Sequence, residues 1–367
     1  MKKITILIIT FLMIWYNNAF ADGVDDVLTN DMKSNIENAF ETSGLNFNAI
    51  ELIERLNQGD FDVNYKSVVD FLKDKFNVLL KENIGFGLTA FVLIILASMI
   101  ENVQHSFTDN KTVNLTVSAV VVLSLIGTIN GVMEYCIEFV DSLILFINSL
   151  IPTLLSLLAV SGKSGTAGVL SPVMIGVSGV IVLFVKSFVV PLNIIGFILK
   201  LSGSLTEKNH LINFGNQIQK ILKWSLGFVF TVYVGIIGII GVAIPKVDGI
   251  TVKTAKYAVS SFIPYAGGMV ADSVELILMC STVVKNSVGI AGLVGILFIA
   301  AVPCLTVLIK LFVINILNFF VSPIASKNII EIVNCMSSCI GVLFAMNIVV
   351  SIMYIISVAV IIFIGGA

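Results

Sequence analysis

The chain has 367 residues, of which 57% are hydrophobic and only 12% charged, whereas a soluble globular domain carries about 25% charged residues. Its 21 basic and 23 acidic side chains leave a net charge of -2, so no basic field favours nucleic acid as a partner. The composition excludes a soluble enzyme. It predicts an all-α, polytopic helical membrane protein whose solvent is the lipid bilayer.

The first 21 residues have the pattern of a cleavable signal peptide. Lys2 and Lys3 precede a short apolar run, and Ala19-Phe20-Ala21 supplies the small residues of a cleavage site. An uncleaved anchor is the alternative. Both interpretations place the segment that follows outside the cytoplasm.

Residues 22–82 form an acidic segment with 13 acidic and 6 basic side chains. Apolar residues recur at helical spacing in three stretches, of which the first runs from Leu28 to Phe40 and the last from Val68 to Leu79. This pattern predicts a small amphipathic helical region on the extracytoplasmic side. Its negative charge favours packing against protein over adhesion to anionic lipid.

Residues 83–367 are predicted to be a multi-pass membrane domain of about six to eight helices, some broken or re-entrant. The predicted apolar segments are Ile84–Ile100, Val113–Met133, a stretch from Glu138 to Val160, Val169–Val190, Trp224–Ile244, Val288–Val313 and Ile329–Ile364. Pro191 and Lys200 are expected to interrupt the sequence after Val190. The last segment is about twice as long as one span requires, which predicts a turn near Asn347 or Ser351.

Two glycine ladders follow a three-residue spacing, which keeps small residues on one helical face where backbones can approach closely. The first consists of Gly235, Gly238 and Gly241, and the second of Gly289, Gly292 and Gly295. We expect both to pack helices together, with the lining of a conduction path as the alternative.

No catalytic, cofactor or metal site is predicted, and the chain is not expected to be an enzyme. Gly162-Lys163-Ser164 resembles the end of a nucleotide-binding loop, but Leu157 stands where that loop requires its first glycine. Cys335 and Cys339 share one helical face, yet the two histidines are remote in sequence, so a zinc site lacks ligands. The five cysteines are interpreted as small apolar packing residues.

Ionisable residues within apolar segments are stronger candidates for a functional site, because each costs roughly 2.5–3.5 kcal/mol at the centre of a membrane helix. Asp272 and Glu275 lie three residues apart on one face, upstream of Lys285 and downstream of Lys253 and Lys256. Acid–base pairing among them would serve packing as readily as transport. The other candidates are Glu138, Asp141, Lys186, Lys200, Lys310 and Glu331, and for the lysines among them we expect snorkelling from helix ends.

The segment from Asp248 to Leu293 reads DGITVKTAKYAVSSFIPYAGGMVADSVELILMCSTVVKNSVGIAGL. It resembles the central block of the stage III sporulation protein AE family of endospore-forming bacteria. The matching positions are Asp248, Gly249, Lys253, Thr254, Ala255, Lys256, Tyr257, Phe262, Pro264, Gly267, Gly268, Asp272, Cys280, Lys285, Asn286, Gly289 and Gly292. A weaker match extends upstream to Pro152, whereas Ala271, Glu275 and Tyr265 depart from the family pattern.

The resemblance implies a sporulation membrane protein, a permease-like or scaffold subunit of a multiprotein channel between mother cell and forespore. It would be required after engulfment and would lie in the mother-cell membrane facing the forespore. The implied partners are other membrane proteins of the stage III sporulation operon, a secretion-type ATPase and a forespore-side channel protein. The alternative is an autonomous secondary transporter of a small solute that uses Asp272 and Glu275.

Residues 248–292 are predicted to form a helix–break–helix, in which Pro264 ends the first helix and the second begins near Asp272. Such a break cannot contact lipid, because its freed backbone groups would go unsatisfied. We therefore expect a functional centre there, the alternative being a cytoplasmic loop with an interfacial helix. Its residues are Asp248, Gly249, Lys253, Lys256, Pro264, Gly267, Gly268, Asp272, Glu275, Lys285 and Asn286.

Overall fold

The computed structural model describes residues 65–107, 111–206, 209–243 and 267–366, and these residues are helical apart from short turns. The helices are α1 Tyr65–Phe107, α2 Lys111–Val160, α3 Ser164–Phe184, α4 Val190–Thr206, α5 Asn209–Ala243, α6 Gly267–Val321 and α7 Lys327–Gly366. A π-helical turn, Val185–Val189, joins α3 to α4 without a change of chain direction. The predicted signal peptide lies outside the described residues, as does most of the acidic segment.

Within the described residues, six helical segments are long and apolar enough to cross a membrane, which confirms the predicted polytopic all-α fold. They are Phe76–Ile100, Ile126–Val160, Ser164–Thr206, Asn209–Ile240, Thr282–Val321 and Lys327–Ile364. Their lengths of 25 to 43 residues are larger than expected. At about 1.5 Å per residue the longest measures roughly 64 Å, twice the thickness of a hydrocarbon core of about 30 Å.

Helix α7 is the centre of the bundle and packs against α2, α4, α5 and α6. Buried side chains lie on several faces of this helix, as is expected of a helix enclosed by other helices. They include Cys335, Cys339, Leu343, Met346, Val350, Tyr354, Val358 and Ile361. Among helices that follow each other in the chain, α1 packs against α2, α2 against α3, α4 against α5 and α6 against α7.

The predicted division between Val113–Met133 and a stretch beginning at Glu138 is wrong, because α2 is one continuous helix of 50 residues. Glu134 and Glu138 are exposed and Asp141 is half-buried. These polar residues therefore lie along one side of the helix and do not interrupt it. The first span is also continuous with the last amphipathic stretch of the acidic segment, since α1 runs unbroken from Tyr65 to Phe107.

The predicted turn near Asn347 or Ser351 is also wrong, because α7 continues through both residues. Ser351 donates a hydrogen bond from its hydroxyl to the Asn347 carbonyl one turn earlier, at 2.7 Å. The Asn347 amide donates to the Cys136 sulfur on α2, at 3.4 Å. Because both polar side chains find donors or acceptors inside the bundle, neither requires the helix to end.

The expected interruption at Pro191 and Lys200 is a π-helical turn within a continuous helix and not a break. Proline removes one backbone donor, and the π-helical turn immediately before Pro191 absorbs the loss within a continuous helix. Lys200 is buried, and its ammonium donates a hydrogen bond to the side-chain oxygen of Gln219 on α5, at 2.9 Å. This lysine thus links α4 to α5 and does not snorkel to a membrane surface.

The turn between α2 and α3 is a Schellman motif centred on Gly162, whose φ of 83° suits glycine. The Gly162 amide donates to the Ala159 carbonyl at 3.1 Å, and the Lys163 amide donates to the Leu158 carbonyl at 3.2 Å. The Gly162-Lys163-Ser164 sequence therefore ends one helix and begins the next. This geometry explains the motif without a nucleotide.

Candidate functional site

The candidate site lies at the end of the bundle where the first turns of the membrane-spanning part of α6 meet the carboxyl end of α7. Lys285 of α6 is completely buried. Its ammonium donates a hydrogen bond to the main-chain carbonyl of Ile362 at 3.1 Å. Lys285 is thus the one predicted charged site residue whose surroundings are described, and it binds a helix end.

A second lysine approaches the same helix end from the α2–α3 turn. The Lys163 ammonium donates to the Ile364 carbonyl at 2.9 Å, two residues beyond the acceptor of Lys285. The end of a helix carries the negative end of its dipole, so cations stabilise it, and the Ile364 carbonyl lies in the final turn, whose carbonyls lack helical donors. Three parts of the chain that are far apart in sequence therefore meet here through two charge-assisted hydrogen bonds.

Glycines bring α6 close enough for this arrangement. A Cβ atom at Gly289 would overlap the side chain of Ile362, and one at Gly292 would overlap Leu150 of α2. Gly295 is also buried. The second glycine ladder thus gives α6 close contact with both α7 and α2.

The first ladder has different surroundings. No heavy atom of the described residues outside the local helix lies within 4 Å of a Cβ atom built on Gly235 or Gly238. Gly241 lies near the end of α5, and its surroundings are not among those described. Helix α5 is instead held on α7 by Tyr233, whose hydroxyl donates to the Met353 carbonyl and lies 2.6 Å from the Ser357 hydroxyl.

The other predicted site residues are only partly described. Asp248, Gly249, Lys253, Lys256 and Pro264 lie outside the described residues. Helix α6 begins at Gly267 and passes through Gly268, Asp272 and Glu275 without a break, whereas its start was predicted near Asp272. The side chains of these two acids lie outside the described set. Asn286 is half-buried, and its side-chain oxygen has no hydrogen-bond partner within the part of the chain that the structure describes.

Several polar contacts between helices were not predicted from the sequence. The Asn193 amide donates to the carbonyl of Cys339 at 3.2 Å, and the hydroxyls of Ser178 and Tyr354 lie 3.2 Å apart. Lys186, in the π-helical turn, forms an ion pair with Asp141 of α2. The signal for this pair was available, because both residues had been singled out as charges within apolar segments, but the sequence did not show that they would meet.

No described arrangement suits a metal ion, since no group of three or more His, Cys, Asp or Glu residues comes together within the ranges above. Cys335 donates its thiol to the Phe197 carbonyl, and Cys339 accepts from Asn193. Both cysteines therefore act as packing and hydrogen-bonding residues between α4 and α7.

The comparisons with known proteins agree with the resemblance found in the sequence. The family model for stage III sporulation protein AE matches residues 47–365. A relative from Bacillus subtilis (strain 168), described as stage III sporulation protein AE, is 29% identical over 303 residues, which cover 81% of this chain and 76% of that protein. No solved structure matches the chain. The chain therefore belongs to the stage III sporulation protein AE family.

Proposed function

We propose that this sporulation protein is a permease-like or scaffold subunit of a multiprotein export channel between mother cell and forespore, required for spore development after engulfment. Its place is the mother-cell membrane that faces the forespore, with the N-terminal region outside the cytoplasm. The proposed partners are other membrane proteins of the stage III sporulation operon, a secretion-type ATPase and a forespore-side channel protein.

The observation that carries this proposal is the anchoring of α6 at the end of the bundle. Lys285 and Lys163 fasten the start of the spanning part of α6 and the α2–α3 turn to the last carbonyls of α7. The part of α6 before Lys285, from Gly267 onward, belongs to the block that carries the family resemblance. A rigidly anchored helix that leads from this block into the bundle suits a subunit that presents a fixed surface to other proteins.

One cavity among the described residues lacks the polar groups that a site for a polar solute would need. A cavity between α3, α5 and α7 is lined by eight apolar side chains, namely Ile181, Phe184, Val185, Leu226, Val229, Val349, Val350 and Met353. It therefore offers a small polar solute no side-chain hydrogen bond. A ligand site, in contrast, combines apolar walls with a few convergent polar groups.

The alternative transporter would use Asp272 and Glu275 as the sites of its coupling ions. Both functions are compatible with a membrane body, so the experiment must separate autonomous transport from a role in an assembly. Purified protein in liposomes loaded with a small fluorescent solute should release none of it on its own. Autonomous, saturable efflux that is lost in Asp272→Asn would favour the transporter.

The companion experiment is genetic. A strain that lacks the protein should complete engulfment and then arrest, and a copy of the intact chain should restore heat-resistant spores. Normal sporulation of the deletion strain would overturn the proposed function.

A further inference from the structure

One side of α2 is polar although it lies on the surface of a membrane-spanning bundle, where apolar side chains would be expected. Its exposed or half-buried residues recur every three or four positions and are Asn130, Glu134, Glu138, Asp141, Leu145, Asn148, Pro152 and Ser156. All side chains between residues 126 and 160 are described, and between 126 and 159 Leu145 is the only large hydrophobic residue that is exposed. This stripe runs through most of the segment that is apolar enough to span a membrane.

Other helices show what a surface against lipid looks like in this molecule. Helix α5 exposes large apolar side chains along its whole spanning length, including Phe214, Ile221, Phe228, Val232, Ile236 and Ile239. Lipid tails offer no partner to polar groups, so an exposed polar side of a membrane helix is normally turned toward protein or water. The exposed side of α2 is therefore covered by something other than lipid tails.

A stripe on α3 continues this surface. It consists of Gly165, Gly168, Pro172, Gly176, Gly179, Leu183 and Lys186, spaced three or four residues apart. Lys186 pairs with Asp141, and α3 returns antiparallel to α2 after the turn at Gly162, so the two stripes run side by side. Among the described residues outside the local helix, no heavy atom lies within 4 Å of a Cβ atom built on Gly168, Gly176 or Gly179, which leaves a shallow groove. We name these two stripes together the polar face.

Two prolines add main-chain polarity to the polar face. Pro152 lacks the amide hydrogen that would bond the Asn148 carbonyl four residues earlier, and Pro172 likewise deprives the Gly168 carbonyl. All four residues belong to the polar face. Backbone groups freed in a membrane require donors from a neighbouring helix, a side chain or water. Thus main-chain and side-chain evidence independently indicate a polar occupant.

The charges of the polar face indicate which occupant fits. Glu134 and Glu138 are both exposed, and Asp141 is the acid that Lys186 neutralises, which leaves an excess of two negative charges. A second copy packed by rotation about the bundle axis would bring the same acids to the same height, where they would repel. The chain's own residues 22–64 carry ten acidic and two basic side chains and would repel as well.

We propose that the polar face binds a transmembrane helix of another protein that carries a lysine or arginine at the height of Glu138. This helix has small residues where it crosses the glycines of α3, so that its backbone fits the groove and its donors reach the freed carbonyls. The inference rests on the proposed role as a subunit of a multiprotein complex, because it needs a membrane partner. It adds the surface used and the chemistry of the helix that occupies it.

A charge reversal and its suppressors test this proposal in sporulating cells. Glu138→Lys should insert at normal levels and abolish heat-resistant spores, whereas Lys220→Glu, which reverses an exposed charge on α5, should sporulate normally. Selection for restored sporulation of Glu138→Lys should return changes of Lys or Arg to Asp or Glu in a membrane helix of another protein. Suppressors that alter only lysines of this chain, such as Lys253 or Lys256, would overturn the proposal.

Cysteine chemistry supplies the second readout. A single cysteine introduced as Asn148→Cys should be protected from a membrane-impermeant maleimide in sporulating cells, because a helix covers it. Ready labelling of Asn148→Cys would show a water-filled path along the polar face, and disulfide-linked dimers of this chain would show a second copy, and either result overturns the proposal. Normal sporulation of Glu138→Lys in a strain where the deletion arrests would overturn it while leaving the proposed function intact.

Discussion

The two glycine ladders have the same spacing and opposite surroundings. Gly289 and Gly292 lie where a side chain would overlap Ile362 and Leu150, whereas Gly235 and Gly238 face open space. The difference arises because α6 is wedged between α2 and α7, while the outer side of α5 forms part of the bundle surface. A three-residue glycine spacing therefore identifies a helix face that could accept a neighbouring helix. Only the tertiary structure shows whether a helix packs there.

Gly292→Leu should have the largest effect on the stability of the protein. The added side chain would occupy the space of Leu150, and overpacking of a filled interior costs about 1–3 kcal/mol or more. We expect the variant to accumulate poorly in membranes and to aggregate at a lower temperature in detergent. Gly238→Leu is the matched control and should leave both measurements unchanged. Equal losses in the two variants would remove the distinction between the ladders.

Gly289→Ala tests the same contact with one methyl group. The new Cβ atom would meet the Ile362 side chain, so the variant should be destabilised on its own. Ile362→Ala removes the opposing atoms and should restore part of the lost stability when the two changes are combined. Coupled neighbours deviate from additivity by about 0.5–3 kcal/mol. Strict additivity of the apparent melting temperatures would show that the two residues do not touch.

Tyr233→Phe tests how α5 is held on α7, where the first glycine ladder makes no helix contact within the described residues. The change removes a hydroxyl that bonds the Met353 carbonyl and contacts Ser357, and it leaves the ring in place. A hydrogen bond of this kind contributes about 0.5–1.5 kcal/mol, so a modest fall in melting temperature is expected. Tyr135→Phe, at a half-buried tyrosine of α2, is the control for the loss of a phenol alone. No change in Tyr233→Phe would mean that the hydroxyl does not contribute to holding α5 on α7.

Gly238→Ala should have the smallest effect. The new methyl group meets no atom of the described residues outside its own helix, and the lower flexibility of the unfolded chain favours alanine by about 0.5–1 kcal/mol where the conformation is helical. The melting temperature should stay the same or rise slightly. A clear decrease would place α5 against another part of the chain and would contradict the open surroundings described here.

Much of the fold was predictable because it depends on local composition. Long apolar segments predicted a polytopic helical protein, and six spanning segments lie within the predicted range. The breaks were mispredicted, since Glu138 was expected to begin a separate segment and Asn347 to lie at a turn. Their side chains instead lie along an exposed side or bond to a neighbouring helix, which depends on contacts that the local sequence does not specify.

The sequence identified residues of the candidate site but not the contacts they make. Lys285 and Gly292 were singled out from the sequence, but the acceptor of Lys285 lies 77 residues away at the end of α7. The contact of Lys163 with the end of α7 was not predicted, because Gly162-Lys163-Ser164 was considered only as part of a nucleotide-binding loop. The polar face could have been found, because Glu134, Glu138, Asp141 and Asn148 follow helical spacing within one predicted membrane region.

The start of α6, within the block that resembles the family, is proposed to be a functional part of the sporulation protein. The most direct measurement compares two double variants, Gly267→Val with Gly268→Val and Gly235→Val with Gly238→Val, in strains otherwise lacking the protein. Heat-resistant spores and the amount of protein in the membrane are measured for both. The account predicts that the first variant inserts at normal levels and arrests after engulfment, whereas the second sporulates normally. Normal sporulation of the Gly267 and Gly268 variant would show that this end of α6 is a connector and would contradict the account.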